Sequence, residues 1–303
     1  MQWQPVSPDR FLLAEGPFWD APAQALYFVD IAGQLACRLD ASGLRRWALH
    51  APVSACIPTT AGDALVTLPS GVHRLDLASS TDQPVLQLFS AVDPESGNRP
   101  NEARCDRTGR LWLGTMQNNL GPAAEDIPVT RDSGSLFRVD GSGRVTTVLE
   151  HLGIPNTLEW SADGHFLYHA DSKAGQLYRY HLTPDGALGE REPWAAEGPG
   201  TPDGSALDSE GYLWNARWGG GCLLRFDPEG RIDRRVELPA SHPTSCVFGG
   251  PDLRTLYVTS ATPAQGRTPL DGAVFSAVMD VAGTACTRFT MNPLPDNHAP
   301  VAK

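Results

Sequence analysis

One short unit recurs along this chain: a glycine, an apolar stretch, usually an arginine, then a turn. Its copies are Gly33–Asp40, Gly71–Asp76, Gly134–Asp140, Gly175–Tyr180, Gly221–Asp227 and, in weaker form, Gly272–Ala277. An apolar strand-like run precedes most of them: Leu26–Val29, Leu65–Thr67, Leu111–Leu113, Leu167–Tyr168, Leu213–Trp214 and Leu256–Val258. Turn residues follow many, as at Ala41–Gly43, Gly141–Gly143, Pro184–Gly186 and Pro228–Gly230. The glycine-to-glycine spacings are 38, 63, 41, 46 and 51 residues. Short strands repeated at about this period are the signature of a β-propeller, with one four-stranded sheet per blade. Helical periodicity is hard to find, and a β-sandwich has no need of six copies of one unit. The expectation is an all-β chain, a six-bladed propeller forming a single domain over residues 1–303; all-β folds of this length often run as one unit.

The 63-residue interval is about twenty residues longer than the others, and the surplus lies in Val92–Asn101 and Gln117–Arg131. Both are polar and contain Pro and Gly, so they read as long loops on one propeller face, where function tends to sit. Four oxygen-bearing side chains share a local context that points to the same face. They are Glu15 in Ala14–Pro17, Asn101 in Arg99–Glu102, Asn156 in Ile154–Thr157 and Asp203 in Thr201–Gly204, each near a proline and each ahead of a strand of a different blade. Converging on the channel mouth, they would suit a hard cation. As isolated motifs they are also ordinary turn formers, and Pro202-Asp203-Gly204 in particular reads as a turn at a strand entrance.

Charge and composition exclude some partners. The net charge is −11 and the pI about 5.1, against a nucleic-acid or anionic-membrane surface, which needs basic residues. The 30 glycines and 26 prolines are spread along the chain and do not form low-complexity segments. The first twenty residues have neither a basic segment nor a continuous apolar one, and no apolar run reaches membrane-spanning length, so the expected location is cytoplasmic. Cys37, Cys56, Cys105, Cys222, Cys246 and Cys286 are scattered, with no CxxC pair, and read as buried thiols. His165 and His169 lie in a strand-like segment, where their spacing makes no zinc helix. Trp218–Gly221 lacks the residues of a phosphate loop, and no serine sits in a G-x-S-x-G elbow.

From about Leu13 to Ala261 the chain resembles the SMP-30/gluconolactonase/luciferin-regenerating-enzyme family. The resemblance is carried by Ala14–Trp19, Tyr27–Ile31, Arg99–Glu102, Asp106–Arg110, Leu113–Met116, Ile154–Ser161, Ala170–Ser172, Pro202–Gly204, Trp218–Gly221, Phe248–Gly250 and Leu256–Ala261. It implies a six-bladed propeller holding one divalent cation (Ca, Zn, Mn or Fe(II)) in its channel. The family's metal-binding Glu, Asn and Asp fall on Glu15, Asn156 and Asp203, and Asp203 also takes the place of the proposed base. Its substrate-contacting Arg and Asn fall on Arg99 and Asn101, and an acidic substrate contact of some members falls on Asn119. Three positions depart from the pattern: Glu102 stands for an Asp, Thr157 for a Gly, and Asn119 for the acid.

The implied activity is hydrolysis of a sugar-acid lactone, an aldono-1,4- or 1,5-lactone, to the aldonic acid. A lactone is a cyclic ester whose carbonyl carbon is the electrophile; a cation polarises the carbonyl, activates water and stabilises the oxyanion. Asp203 would take the water's proton. A carboxylate tied to a cation is a weak base, so cation-activated water acting alone stands beside that assignment. Two other readings remain at this stage: a non-enzymatic calcium-binding or interaction propeller, and a phosphoester or organophosphate hydrolase on the same cation.

Overall fold

The computed structural model describes residues 2–122, 125–183, 186–195, 198–264 and 268–292. Ala123 and Ala124 in the second long loop, and Pro184 and Asp185 of one expected turn, lie outside the described residues. Among those described, twenty-four strands form six four-stranded sheets and there is no α-helix. Blade 1 is β2 (Ala14–Asp20), β3 (Ala25–Asp30), β4 (Leu35–Asp40) and β5 (Gly43–Ala48). Blade 2 is β6 (Cys56–Pro58), β7 (Ala64–Leu68), β8 (Gly71–Leu75) and β9 (Leu86–Ser90). Blade 3 is β10 (Asn98–Cys105), β11 (Leu111–Gln117), β12 (Gly134–Val139) and β13 (Val145–Leu152). Blade 4 is β14 (Pro155–Trp160), β15 (Phe166–Asp171), β16 (Gln176–Leu182) and β17 (Leu188–Ala195). Blade 5 is β18 (Thr201–Leu207), β19 (Leu213–Trp218), β20 (Cys222–Phe226) and β21 (Ile232–Glu237).

Blade 6 is built from both ends of the chain. Strands β22 (Pro243–Gly249), β23 (Thr255–Ser260) and β24 (Phe275–Val278) are completed by β1 (Gln4–Pro5), which pairs Gln4 with Ser276 and Pro5 with Phe275. The repeated glycine unit marks the third strand of each blade, and the apolar run before it marks the second. Those middle strands are the most uniformly apolar; the fourth strand is amphipathic and wet, as in β21, whose Ile232, Asp233, Arg235 and Glu237 are exposed.

The first strand of each blade lines the axis. β10 packs on β14, β14 on β18, β18 on β22, β22 on β2 and β2 on β6. Aromatic pairs seal the seams between blades: Trp112 meets Trp160 edge-on at 5.7 Å, Trp214 meets Phe248 at 6.2 Å, and Trp19 stacks on Tyr257 at 5.5 Å. All six cysteines are free, five buried and Cys286 half-buried. Trp218–Gly221 forms the turn from β19 into β20, closed by the Gly220 N–H donating to the Arg217 carbonyl. No helix among the described residues is long and apolar enough to cross a membrane.

His169 on β15 is 1% exposed. Burial holds its imidazole down to about 4, against the opposing pull of Asp171. The folded protein keeps the ring neutral while the unfolded chain protonates it below about 6.5, so this residue's contribution falls as pH drops from 6.5 towards 4 and is level below that. Replacing it with Phe should flatten that acid limb. In chemical denaturation at pH 7.5 and pH 4.5, the wild type should lose on the order of 2 kcal/mol more than His169→Phe. Equal losses would show that His169 carries no such cost.

Candidate functional site

Apart from Asn119, which lies in the loop after β11, the expected site residues do not sit on turns ahead of strands, as their sequence context implies. They lie in the innermost strands themselves, within the first four residues of each: Glu15 in β2, Arg99 and Asn101 in β10, Asn156 in β14 and Asp203 in β18. The reason is a β-bulge. Between β2 and β3 the pairing jumps from Glu15↔Val29 to Phe18↔Tyr27, and between β10 and β11 from Pro100↔Thr115 to Ala103↔Leu113. The same jump occurs at Asn156/Leu158, Pro202/Ser205 and Pro243/Ser245. A bulge adds a residue to one strand, bends it and re-aims the side chains. Gly16, Pro17 and Gly204, which read as turn punctuation, lie inside the bulges, and Pro100, Pro155 and Pro202 stand at or beside their edges. Gly16 has φ +54°, and a Cβ on it would stand 2.8 Å from the Ser54 carbonyl. A Cβ on Gly204 would stand 2.1 Å from Ser245 Oγ, so the approach of β18 to β22 requires glycine. Strand β6, which has no such jump, contributes none of these residues.

Side-chain anchors, buried at Asp30 and Arg217 and half-buried at Asp171, hold the strand entrances. Asp30, the last residue of β3, accepts from the backbone N–H groups of Leu12 and Leu13, just ahead of Glu15. Asp171, the last residue of β15, does the same for Gly153 and Ile154, just ahead of Asn156. The entrance to β18 is gripped the other way round: Arg217 of β19 donates through Nε to the Pro199 carbonyl and through Nη2 to the Gly200 carbonyl.

The long loops fold over the same end, as their surplus length implies, although Asn98–Asn101 proves to be strand and not loop. The Asn118 N–H donates to the Gly97 carbonyl, Arg131 pairs with Glu95, and Gln117 Oε1 accepts from the backbone of Thr130 and Arg131. This places Asn119 beside Arg99. Arg99 donates from Nε and Nη2 to Asn119 Oδ1, at 3.0 and 2.6 Å, and from Nη1 to Asn101 Oδ1 and the Pro100 carbonyl. Asn119 in turn donates to Asp126 at 3.0 Å. Asn101 Nδ2 donates to the Pro155 carbonyl at 3.0 Å and to Asn156 Oδ1 at 3.1 Å. Asn156 Nδ2 donates to Ser172 Oγ at 2.8 Å. The Asn156 amide is thus oriented from both ends, and its oxygen keeps one lone pair.

Three carboxylates share this buried space. Burial pushes the Glu15 carboxyl up to about 8, with Glu102 adding to the rise and the Gly16 N–H and Arg99 opposing it. Glu15 keeps some contact with solvent at the mouth, but it lies deep enough within the ring for desolvation to dominate. Asp203, 6% exposed, is raised well above the usual carboxylate range by burial, then by Glu15 and Glu102. Glu102, 5% exposed, is raised to about 7 by burial, with Arg104 opposing. Arg99 is lowered to about 10 by burial, offset by Glu15, Asp126 and Asp203, and stays charged at neutral pH. Glu102 is what sequence reading noted only as a departure from pattern; its signal was its place next to Asn101, where the bulge sets both residues against Gly114 alone. Asp126 and Arg217 left no local signal, because each acts from another strand or loop, and Ser172 stood only within the Ala170–Ser172 motif with no role attached.

Among the described residues no group of three or more His, Cys, Asp or Glu is arranged to hold a metal ion. A cation here would need an amide oxygen besides carboxylates, and the oriented Asn156 Oδ1 is of that kind. A mixed oxygen set of Glu15, Asp203 and Asn156 fits a hard divalent cation, whose charge would offset the mutual repulsion of the buried acids. A small cavity of about 70 Å³ opens at the opposite end of the innermost strands, lined by Arg104, Glu159 and Cys286 among others, away from this cluster.

A closed six-bladed ring with an acidic, amide-rich mouth defines the class. Residues 13–262 match the SMP-30/gluconolactonase/LRE-like region, and the chain belongs to that family. It is 34% identical over 284 residues to a 6-deoxy-6-sulfogluconolactonase of Pseudomonas putida, covering 90% of this chain and 94% of that protein. It is 32% identical over 299 residues to an L-arabinolactonase of Azospirillum brasilense, covering 94% of each. The solved structure of a calcium-binding protein, regucalcin, from Agrobacterium tumefaciens strain C58 superposes with a TM-score of 0.85 at 29% identity, covering 94% of this chain and 96% of that one.

The crowding of acids makes a stability prediction. In chelator-treated protein at pH 8, Glu102→Gln removes a charge that is both desolvated and repelled, and the melting temperature should rise by several degrees. A fall would mean that the Glu102 charge is paired in a way that offsets its burial.

Proposed function

We propose that the protein hydrolyses sugar-acid lactones, aldono-1,4- or 1,5-lactones, to the aldonic acids, with Glu15, Asn156 and Asp203 as ligands of one divalent cation and Asp203 as general base. That the chain is a lactonase rests on its family and on relatives named for that activity. The observation carrying the finer reading is the joint desolvation of Glu15 and Asp203, each raised first by burial, with Glu15 adding to the rise at Asp203, beside the oriented Asn156 amide.

The cation would supply Lewis acidity to the lactone carbonyl and neutralise charge at the mouth. The chain's own residues do the rest. Asp203 accepts the proton of the attacking water as the new C–O bond forms at the carbonyl carbon. Collapse of the tetrahedral intermediate breaks the ring C–O bond, and the proton held on Asp203 passes to the departing alkoxide. Burial raises the proton affinity of Asp203 while the charge of a bound cation would lower it, so the role rests on its place beside the proposed cation site. Arg99 spends most of its N–H groups on Asn101, Asn119 and the Pro100 carbonyl, so its main part is to hold the rim in shape. Asn119 keeps one amide hydrogen beyond its bond to Asp126 and can meet a substrate hydroxyl.

Asp203→Asn should lower turnover of a γ- or δ-sugar lactone by about a hundredfold or more, a general-base-sized effect, while Arg99→Lys costs less. Rates are measured at saturating cation and corrected for spontaneous ring opening, alongside a thermal melt. A folded Asp203→Asn protein with near-normal turnover removes Asp203 as the base. A wild type that binds a divalent cation but opens no lactone would favour a binding role, the property for which the regucalcin relative is described.

A further inference from the structure

Thr157 follows Asn156 as the extra residue of the β14 bulge, and its backbone has φ +46°. A β-branched side chain in the left-handed region is strained, and such strain persists only where surrounding contacts over-determine it. Thr157 is fully buried, and its contacts run towards the next blade. Its Oγ1 donates to the Asp203 carbonyl at 2.5 Å and lies 2.8 Å from Ser205 Oγ. The bulge in β18 takes the carbonyls of Pro202 and Asp203 out of regular register with β19, and buried carbonyls need partners. Both receive them from side chains. The Pro202 carbonyl accepts from Ser172 Oγ at 2.6 Å, and the Asp203 carbonyl accepts from Thr157 Oγ1 and from Asn215 Nδ2 at 2.9 Å. Ser172 also receives the Asn156 amide. Two hydroxyls of blade 4 therefore clamp the backbone that carries Asp203, and the same segment carries Asn156.

We propose that Thr157, with Ser172, is a positioning residue: it fixes Asp203 relative to Asn156 across the seam between blades 4 and 5, and the strain at its backbone is retained for that hydroxyl. This rests on the cation site proposed above. Residues behind metal ligands commonly govern affinity about tenfold to a hundredfold.

The test uses Mn²⁺ alone, titrated calorimetrically into the chelator-stripped full chain, beside thermal melts. Thr157→Val keeps the shape and removes the hydroxyl, and should weaken Mn²⁺ about tenfold or more. Thr157→Ser keeps the hydroxyl and should bind within about threefold of wild type. Thr157→Gly relieves the left-handed strain but lacks the hydroxyl. It should bind Mn²⁺ as poorly as the valine variant even where its melting temperature matches or exceeds that of wild type. A merely structural role would move affinity and melting temperature together. Should Thr157→Val not fold, the serine and glycine variants decide the matter between them. Wild-type affinity in the valine or glycine variant overturns the proposal while leaving the cation site intact. Absence of Mn²⁺ binding in wild type itself removes the cation site and this inference with it.

Discussion

Placing Glu15, Glu102 and Asp203 together at a desolvated axis is the costliest feature of this structure, and much of the surrounding backbone answers to it. A straight innermost strand would alternate its side chains between faces and keep its carbonyls in the ladder. Bulges break that alternation in five innermost strands: the four that carry site residues, and β22, where the extra residue is Thr244. The bulge in β18 displaces carbonyls that Thr157, Ser172 and Asn215 pair, while Asp30, Asp171 and Arg217 hold the segments that lead into the bulged strands. Electrostatics at the mouth and hydrogen bonding in the walls form one problem with one solution.

The blades were legible in the sequence because their middle strands meet a constraint that every blade shares. The second strands are buried on both faces in most blades, and a glycine stands at or just ahead of the third. The first and fourth strands obey no such common rule. The fourth is half solvated, and the first is shaped by the channel, so neither repeats clearly. The weak sixth copy has a physical cause: β24 is only four residues long, and its outer neighbour is the N-terminal β1, which no local periodicity links to it.

The candidate site divides in the same way. Glu15, Asn156 and Asp203 could be picked out because a bulge leaves a local trace of Pro or Gly beside the polar residue. The trace was read as a turn, since those residue types serve both purposes. What sequence could not supply is anything that acts across a seam. Ser172 reaches the Pro202 carbonyl from thirty residues away, and Asn101 reaches Asn156 from fifty-five. Arg99 illustrates the limit: that its guanidinium bonds Asn119, a loop residue twenty positions on, could not be read from its own motif.

The exception among the entrance anchors follows from charge. Blades 1 and 4 hold their lead-in segments with an aspartate that accepts from backbone N–H groups. Blade 5 uses Arg217, which donates to backbone carbonyls. An aspartate at this place would set another buried carboxylate near Asp203, whose proton affinity is already raised by burial, Glu15 and Glu102. Arg217 instead opposes that rise, and Asp203 in return favours the charged guanidinium against its own burial. Reversing the anchor's polarity meets the backbone's need for a partner without adding to the acid cluster. The innermost strand beside Asp203 can then carry its carboxylate at the axis while the segment leading into it stays pinned.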